Sequence, residues 1–123
     1  MKCYKQIFTY DSQIGFKYVP NLNATVTGDY LDKIFDYKIN TDKFGYRNNN
    51  LLENYLDEVE ILFIGCSFTS GDGIENQKRF SYLLDFKSYN AGLSGSDLTQ
   101  QMLILKDCKN FINPKTIIFS PYI

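Results

Sequence analysis

The pattern of hydrophobic and polar positions divides the chain into two parts. In residues 1–57, single apolar residues are scattered among Asn, Asp, Tyr and Lys, and they are too few to form an independent core. We interpret this part as an irregular prelude with short strands. In residues 58–123, the apolar positions fall into short continuous runs and helix-like stripes, which is typical of an α/β domain.

Two β-prone pieces stand out in the prelude, at residues 24–28 and 33–40. Within the second piece, Ile34, Tyr37 and Ile39 lie among polar residues, a spacing that favours a half-buried strand. The two pieces therefore predict short strands or a hairpin. The sequence FGYR follows them and is expected to form a turn that leaves this unit.

Three short apolar runs in the second part predict β-strands, at residues 59–65, 87–92 and 116–120. The first run, VEILFIG, has no polar alternation and ends in Gly, as expected for a strand that is buried on both faces of a parallel sheet. Helical stripes separate the runs. The order strand–helix–strand–helix–strand implies right-handed crossovers and a parallel sheet.

The first of the two predicted helices follows a loop rich in Ser, Thr and Gly. Asn76 is its expected N-cap, because an Asn side chain accepts a hydrogen bond from the first turn of a helix. Its apolar face would contain Phe80, Leu83 and Leu84, which are spaced at i, i+3 and i+4. We therefore expect these three side chains to be buried against the sheet.

The second predicted helix begins at Ser96 or Asp97, either of which can act as its N-cap, and it ends before Pro114. The stripe expected on its buried face consists of Leu98, Met102 and Leu105. Cys108 falls within the same helix and is interpreted as a small core residue, not as a reactive thiol.

Composition and charge narrow the possible functions. The formal net charge is −1 and no Lys/Arg cluster occurs, so nothing in the sequence indicates a nucleic-acid partner. No apolar run reaches the roughly 18 residues that a membrane span needs, and no signal-peptide core is visible near the N-terminus. The compartment is therefore taken as cytoplasmic by default, and the oligomeric state is left open.

Metal and cofactor chemistry finds no support in the residue types. The chain has three cysteines at wide spacing, no CxxC motif and no histidine, so a zinc site is not expected. We predict no metal and no cofactor. The lack of histidine also means that a mechanism with imidazole as the general base cannot be completed within these 123 residues.

Small polar residues follow two of the predicted strands, where the sites of open α/β sheets form. Ser67 comes directly after the first strand, and Ser94, Gly95 and Ser96 follow the second. If the two loops meet, a serine there can act as a nucleophile while the backbone amides of Ser67 and Gly95 hold an oxyanion. The alternative is ordinary turn chemistry, since small polar residues are common after buried strands.

Four motifs, in order along the chain, resemble the SGNH hydrolases, also called GDSL-type esterases. IGCSFTSGDG (64–73) is similar to the first block of that family, usually written GDSxxxG, and YNAGLSGSDLTQQ (89–101) is similar to the second. The lead-in segments DSQIGFKYVPN (11–21) and YKINTDKFGYR (37–47) look like those of many bacterial members. The resemblance extends from about residue 11 to the end of the chain.

The resemblance implies a three-layer αβα, flavodoxin-like parallel sheet, which would be incomplete here, and an ester-hydrolysing activity. Ser67 would be the nucleophile and Gly95 the oxyanion-hole amide, while Asn90 would contact substrate or fix the loop. A third oxyanion donor, an Asn, would follow Ile123, and the Asp and His that activate the serine lie further on in complete members. We therefore expect an incomplete reading frame and a chain that is inactive as an esterase by itself.

Three residues near these motifs depart from the family pattern or carry weaker claims. Cys66 replaces an Asp that organises the loop in the family, and Cys accepts hydrogen bonds poorly. It has no evident base, so Ser67 remains the expected nucleophile. Asp72 is expected to cap or solvate the loop at the surface, and Arg47 is expected to be exposed unless it pairs with a carboxylate at the crevice.

Three functions remain open at this point. The first is an esterase or acetyl-ester hydrolase that acts on a small-molecule or carbohydrate acyl ester. The second is a non-catalytic carbohydrate-binding or assembly module that keeps the crevice but lacks the acid–base pair. The third is an O-acetyltransferase, in which a sugar hydroxyl replaces water as the acyl acceptor.

Overall fold

The computed structural model describes residues 2–3, 6–48 and 55–121, and it is a mixed α/β structure. The strands are β1 (Lys2–Cys3), β2 (Phe8–Asp11), β3 (Gly15–Tyr18), β4 (Asn23–Tyr30), β5 (Lys33–Asn40), β6 (Ile61–Gly65), β7 (Ser88–Asn90) and β8 (Thr116–Ser120). The α-helices are α1 (Ser67–Ser70), α2 (Phe80–Leu83) and α3 (Leu98–Cys108), and two 3₁₀ turns span Tyr55–Glu58 and Asn76–Lys78.

The prelude consists of antiparallel strands. β4 and β5 form the predicted hairpin, paired from Asn23 with Asn40 at the open end to Tyr30 with Lys33 at the turn. Leu31 and Asp32 both have positive φ, 48° and 63°, which is the backbone of a type I′ hairpin turn. β1 pairs with β4, and β2 pairs with β3 as a separate two-stranded sheet.

The second part contains a small parallel sheet with the strand order β7-β6-β8, which confirms the three predicted strands and their parallel arrangement. β6 lies in the centre, and its residues from Leu62 to Gly65 are buried. This agrees with the unbroken apolar sequence of the strand. β8 is exposed at all five of its positions.

One hydrophobic cluster contains residues from both parts of the chain. The prelude side chains in it include Ile14, Tyr18, Leu22, Val26 and Ile39, and those of the second part include Leu62, Ile64, Tyr89, Leu93 and Ile104. The prelude therefore buries its apolar residues against the parallel sheet and its helix. This sharing explains how a segment with few apolar positions of its own adopts regular strands.

The prediction for the first helix is wrong in two respects. Asn76 is not an N-cap; it lies inside a 3₁₀ turn with its side chain buried. Helix α2 is only four residues long, and Phe80, Leu83 and Leu84 are exposed by 47%, 71% and 42%. The spacing of the apolar residues fits a helix, but the backbone at Arg79 is extended and separates the 3₁₀ turn from α2, and the Arg79 side chain is buried.

The second helix begins as predicted, and its buried face differs from the prediction. Asp97 is the N-cap and forms a capping box with Gln100, each side chain accepting from the backbone amide of the other residue. The buried residues are Gln101, Ile104 and Cys108, which confirms the core position of Cys108. Leu98 and Met102 are more than half exposed, and Leu105 is half-buried against the core.

Among the helices of the described residues, none has the length and hydropathy required to cross a bilayer.

Candidate functional site

The two serine-containing loops leave the parallel sheet at the same edge. β6 leads through Cys66 into α1, and β7 leads into the segment that carries Gly95. The two segments stay paired beyond the end of β7, since Ala91 N–H donates to the Phe63 carbonyl at 2.8 Å and Leu93 N–H donates to the Gly65 carbonyl at 3.0 Å. The loops are therefore neighbours at the carboxyl ends of adjacent strands.

Two glycines allow the loops to pack closely. A Cβ on Gly92 would lie 2.7 Å from the Thr69 carbonyl carbon and even closer to the Ser70 nitrogen. A Cβ on Gly65 would lie 2.7 Å from the Ser120 carbonyl oxygen. Both distances are well below van der Waals contact, so only the missing side chain lets the backbone of one loop approach α1 and that of β6 approach β8.

Ser67 is the first residue of α1 and is half-buried. Neither its hydroxyl nor its backbone amide has a hydrogen-bond partner within the described ranges. Cys66 precedes it in an extended conformation and is 7% exposed, and its thiol makes no capping bond to the helix. The thiol therefore fills space where the resemblance would place an organising carboxylate.

Gly95 lies in the second loop with a φ of +79°, in the left-handed region that favours glycine. Its surroundings are open: a Cβ there would find only Phe16 Cζ within 4 Å, at 3.8 Å. Its backbone amide donates no hydrogen bond to any described residue. The adjoining Ser96 folds back on its own loop and donates from its hydroxyl to the Leu93 carbonyl at 2.7 Å.

A direct hydrogen bond joins the two loops at their surface. The Ser94 hydroxyl donates to Asp72 Oδ2 at 2.6 Å, and the Asp72 amide donates to the Ser67 carbonyl at 3.1 Å. Asp72 is exposed, as expected from the sequence, and in addition it bridges the loops. The residues that follow Ser67 and the residue that precedes Gly95 are thus held together.

Asn90, expected either to fix the second loop or to contact substrate, is 1% exposed. Its Nδ2 donates to the Thr69 carbonyl at 2.8 Å and to Ser81 Oγ at 2.9 Å, and its Oδ1 accepts from the Gly92 amide at 2.9 Å. The side chain therefore fixes the second loop against α1. A substrate could reach it only if these bonds were broken.

The expectation that Arg47 is exposed is wrong, because the structure places this side chain at 1% exposure. Its guanidinium donates to the carbonyls of Ser70 and Gly71 at 2.9 Å, to the carbonyl of Ile74 at 2.7 Å and to Asn76 Oδ1 at 2.9 and 3.1 Å. All five N–H groups are used. Arg47 therefore ties the end of the prelude to the segment that follows Ser67.

The second arginine of the chain has a similar role. Arg79 is 3% exposed and donates to the carbonyls of Asn76 and Ser70 at 3.2 Å, and also to the Arg47 carbonyl. Burial, together with the neighbouring Arg47 charge, lowers the pKa of Arg79 to about 9. Both buried cations are thus solvated by backbone carbonyls, and together they define the path of residues 70–76.

Tyr18 connects β3 of the prelude with α1. Its hydroxyl lies 2.6 Å from Ser70 Oγ, and burial raises its pKa to about 12. Sequence reasoning missed this contact, since a Tyr in a Tyr-rich segment gives no signal of its partner. The partner becomes visible only when β3 is placed on the parallel sheet.

The turn that follows β5 is tied to β7 by a polar cluster. Asn48 pairs with the backbone of Asn90 as a strand would, donating to its carbonyl at 3.0 Å and accepting from its amide at 3.2 Å. Asp42 accepts hydrogen bonds from Asn48 and from the Tyr89 hydroxyl. Burial raises the pKa of this carboxyl above its ordinary value. The cluster covers the edge of β7 and supports the start of the second loop.

Comparison of the chain with protein-family models, with curated proteins and with solved structures gave no match. The chemistry of the site is therefore argued from its own residues.

Proposed function

We propose that this chain provides the nucleophile and the oxyanion-binding half of a serine site that acts on acyl esters, in an SGNH-hydrolase-like fold. The observation that carries the proposal is the state of three groups on two adjoining loops. The Ser67 hydroxyl, the Ser67 amide and the Gly95 amide have no hydrogen-bond partners in the described parts of the chain, whereas the residues around them are extensively bonded. Acyl transfer requires a hydroxyl and amide donors that are free to bind the reacting groups, and these adjoining loops offer both.

The proposed reaction follows from these groups. Ser67 Oγ attacks the carbonyl carbon of an ester, and its proton passes to a general base. The oxyanion that forms accepts hydrogen bonds from the two amides. Its collapse breaks the bond to the leaving oxygen, which takes the proton back from the base and departs as the alcohol, and an acyl ester remains on Ser67. The chain contains no histidine, so an imidazole base must come from outside these 123 residues.

The parallel sheet supports the proposed fold assignment in a limited way. The strand order β7-β6-β8 places the strand before Ser67 in the centre, with the Gly95 loop after a neighbouring strand. This is the arrangement in which ligands bind at the carboxyl ends of strands in open α/β sheets. The three-layer, flavodoxin-like form of the complete domain remains part of the proposal.

Reactivity toward a fluorophosphonate tests the proposal, with imidazole added to replace the missing base. The reagent phosphonylates serine and, like an ester, places a developing oxyanion among the donors. Peptide mass mapping then reports the labelling rate at each serine. Ser12 is the internal control, because it is exposed on the β2–β3 turn and no role is proposed for it.

We expect imidazole-dependent labelling of Ser67 to exceed that of Ser12 by at least about tenfold, less than the 10²–10³ that one oxyanion donor can contribute. The Ser67→Ala variant should lose this label and keep the slow background. Equal rates at Ser67 and Ser12 would refute the proposal. That result would favour a non-catalytic module, in agreement with the missing base.

Turnover gives a second test. Without added base, the chain is expected to show no hydrolysis of p-nitrophenyl acetate above that of Ser67→Ala, because the serine stays protonated and its acyl ester is not released. Turnover that disappears in Ser67→Ala would mean that a base is present within the chain. An acyl label that is transferred to an added sugar would favour the O-acetyltransferase alternative.

A further inference from the structure

We infer that Asp72 and Ser94 are positioning residues that set the Gly95 amide against the Ser67 hydroxyl, an inference that rests on the proposed function. The Ser94 hydroxyl donates to Asp72 Oδ2 at 2.6 Å across 22 positions of sequence. Gly95 is the residue directly after Ser94. The orientation of its amide therefore depends on where the Ser94 side chain is held.

The other restraints on the loop lie on either side of Gly95. The buried Gln101 side chain donates to the Ser96 carbonyl at 3.2 Å and to Ser96 Oγ at 3.3 Å, and the Ser94 backbone hydrogen-bonds to the Tyr18 hydroxyl. The start of the loop is fixed by the bond from Leu93 N–H to the Gly65 carbonyl, while the Ser96 amide and hydroxyl both bond to Leu93 within the same turn. A longer contact of 3.5 Å joins Ser96 Oγ to the Gly65 carbonyl. Gly95 itself is exposed, and the missing side chain widens its conformational range. The Ser94–Asp72 bond joins the side chain of the residue directly before Gly95 to the nucleophile loop.

The other end of the link is firmly held. The Asp72 amide donates to the Ser67 carbonyl at 3.1 Å, beside the Gly71 amide, which donates to the same oxygen at 2.8 Å. Gly71 is in turn held by Arg47, through a hydrogen bond of 2.9 Å to the Gly71 carbonyl. Asp72 is thus attached to the backbone of the nucleophile residue. A displacement of Ser94 relative to Asp72 becomes a displacement of the Gly95 amide relative to Ser67.

The surface location of the Asp72–Ser94 bond makes its effect on loop geometry separable from its effect on stability. The Asp72–Ser94 bond lies at the surface, where a hydrogen bond contributes little to the free energy of unfolding because water competes for both groups. The bond nevertheless fixes a geometry on which electrostatic stabilisation of an oxyanion depends steeply. Its loss should therefore reduce the reactivity of Ser67 and leave stability almost unchanged.

The test compares fluorophosphonate labelling of Ser67 in the presence of imidazole among variants of the full chain. Asp72→Ala and Ser94→Ala each remove one side of the bond, and we expect each to lower the labelling rate by about 10- to 100-fold. The double variant should be no slower than either single variant, because the two residues act as one link. Asp85→Ala, which removes an exposed carboxylate elsewhere, should label at the parent rate.

Conservative variants separate geometry from folding. Ser94→Thr keeps a hydroxyl donor and Asp72→Asn keeps an acceptor oxygen, so both should recover most of the parent rate. The urea unfolding midpoints of all variants should match that of the parent. Additive losses in the double variant, or equal losses in Ser94→Thr and Ser94→Ala, would overturn the inference.

The failure of this inference is distinguishable from the failure of the proposed function. Parent-like labelling in both Ala variants, with normal Ser67 labelling in the parent, would overturn the positioning role alone. Absence of selective Ser67 labelling in the parent would overturn the proposed function, and this inference with it.

Discussion

Replacement of Arg47 by Met tests how the structure holds the segment after Ser67. The substitution keeps most of the aliphatic length of the side chain and removes the guanidinium. Four acceptors then lose the hydrogen bonds from Arg47: the carbonyls of Ser70, Gly71 and Ile74, and Asn76 Oδ1. The Ser70 carbonyl keeps its bond from Arg79, and the Gly71 carbonyl keeps its bond from the Ile74 amide. All of these bonds lie in a region where the side chain is 1% exposed, so water cannot readily replace the lost donor.

The magnitude follows from the number of acceptors. A hydrogen bond from a charged donor contributes about 1.5–3 kcal/mol, so the loss of the Arg47 bonds to four acceptors has an upper limit of about 12 kcal/mol. The donors that Ser70 and Gly71 keep lower this limit. The substitution also removes the free-energy cost of burying a cation, and the same burial lowers the pKa of Arg47. Relaxation that admits water reduces the cost further. We expect a net loss of about 3–5 kcal/mol in the free energy of unfolding.

Urea unfolding monitored by tyrosine fluorescence and circular dichroism measures this loss. For a chain of this size, a loss of about 3–5 kcal/mol corresponds to a midpoint lowered by roughly 2 M. Lys78→Met is the matched control, since it removes a positive charge from an exposed side chain of the neighbouring 3₁₀ turn. Arg47→Lys should fall between the two, because an ammonium has three donors and no planar fork. A change below about 1 kcal/mol in the free energy of unfolding of Arg47→Met would refute the role of the Arg47 hydrogen bonds in holding residues 70–76.

Three further predictions concern other parts of the structure. The pKa of Tyr18 is raised from 10.0 to about 12 in the folded state, so its contribution to stability is complete below pH 10 and is lost as the pH rises through 12. The free energy of unfolding of Tyr18→Phe should therefore vary less with pH in this window, by about 2–3 kcal/mol in total. Identical pH profiles of the variant and the parent would contradict the assignment. Gly92→Ala should lower the free energy of unfolding by about 1–3 kcal/mol because the added Cβ overlaps α1, whereas Gly95→Ala should lower it by about 1–2 kcal/mol because of the positive φ alone. A thermal shift assay that finds Gly92→Ala neutral would disprove the close approach. Ile104→Ala should cost about 2–5 kcal/mol and Met102→Ala less than about 1 kcal/mol in urea unfolding, since the first side chain is buried and the second is half exposed; the reverse order would restore the helix face predicted from sequence.

The strands were predictable because their signals are local. The hairpin of residues 23–40 follows from β-prone pieces separated by a short turn, and β6 follows from an apolar run that ends in Gly. The capping box at Asp97 is likewise a local feature, because it needs only Asp97 and the Gln three positions later. These features depend on neighbours within a few residues, so an inspection of the chain is sufficient to find them.

The helix faces and the buried arginines were not predictable in the same way. Leu98 and Met102 have a helical spacing, and so do Gln101 and Ile104. The sequence therefore fits either face, and only packing against the sheet decides which face is buried. Arg47 and Arg79 enter the interior because the carbonyls of residues 70–76 provide acceptors there. An arginine in the sequence does not show which distant carbonyls will surround it, so exposure was the natural and incorrect expectation.

In the candidate site, too, some features were predictable from sequence and others were not. The sequence by itself determined that Ser67 and Gly95 follow two strands of a parallel sheet, because strand order and glycine position are properties of the chain. Only the tertiary structure decided that Asp72 and Ser94 connect the two loops, and that Asn90 is bonded within the protein. The physical reason is that a hydrogen bond depends on distance and direction between groups that lie far apart in sequence, and these are fixed only when the whole core has packed.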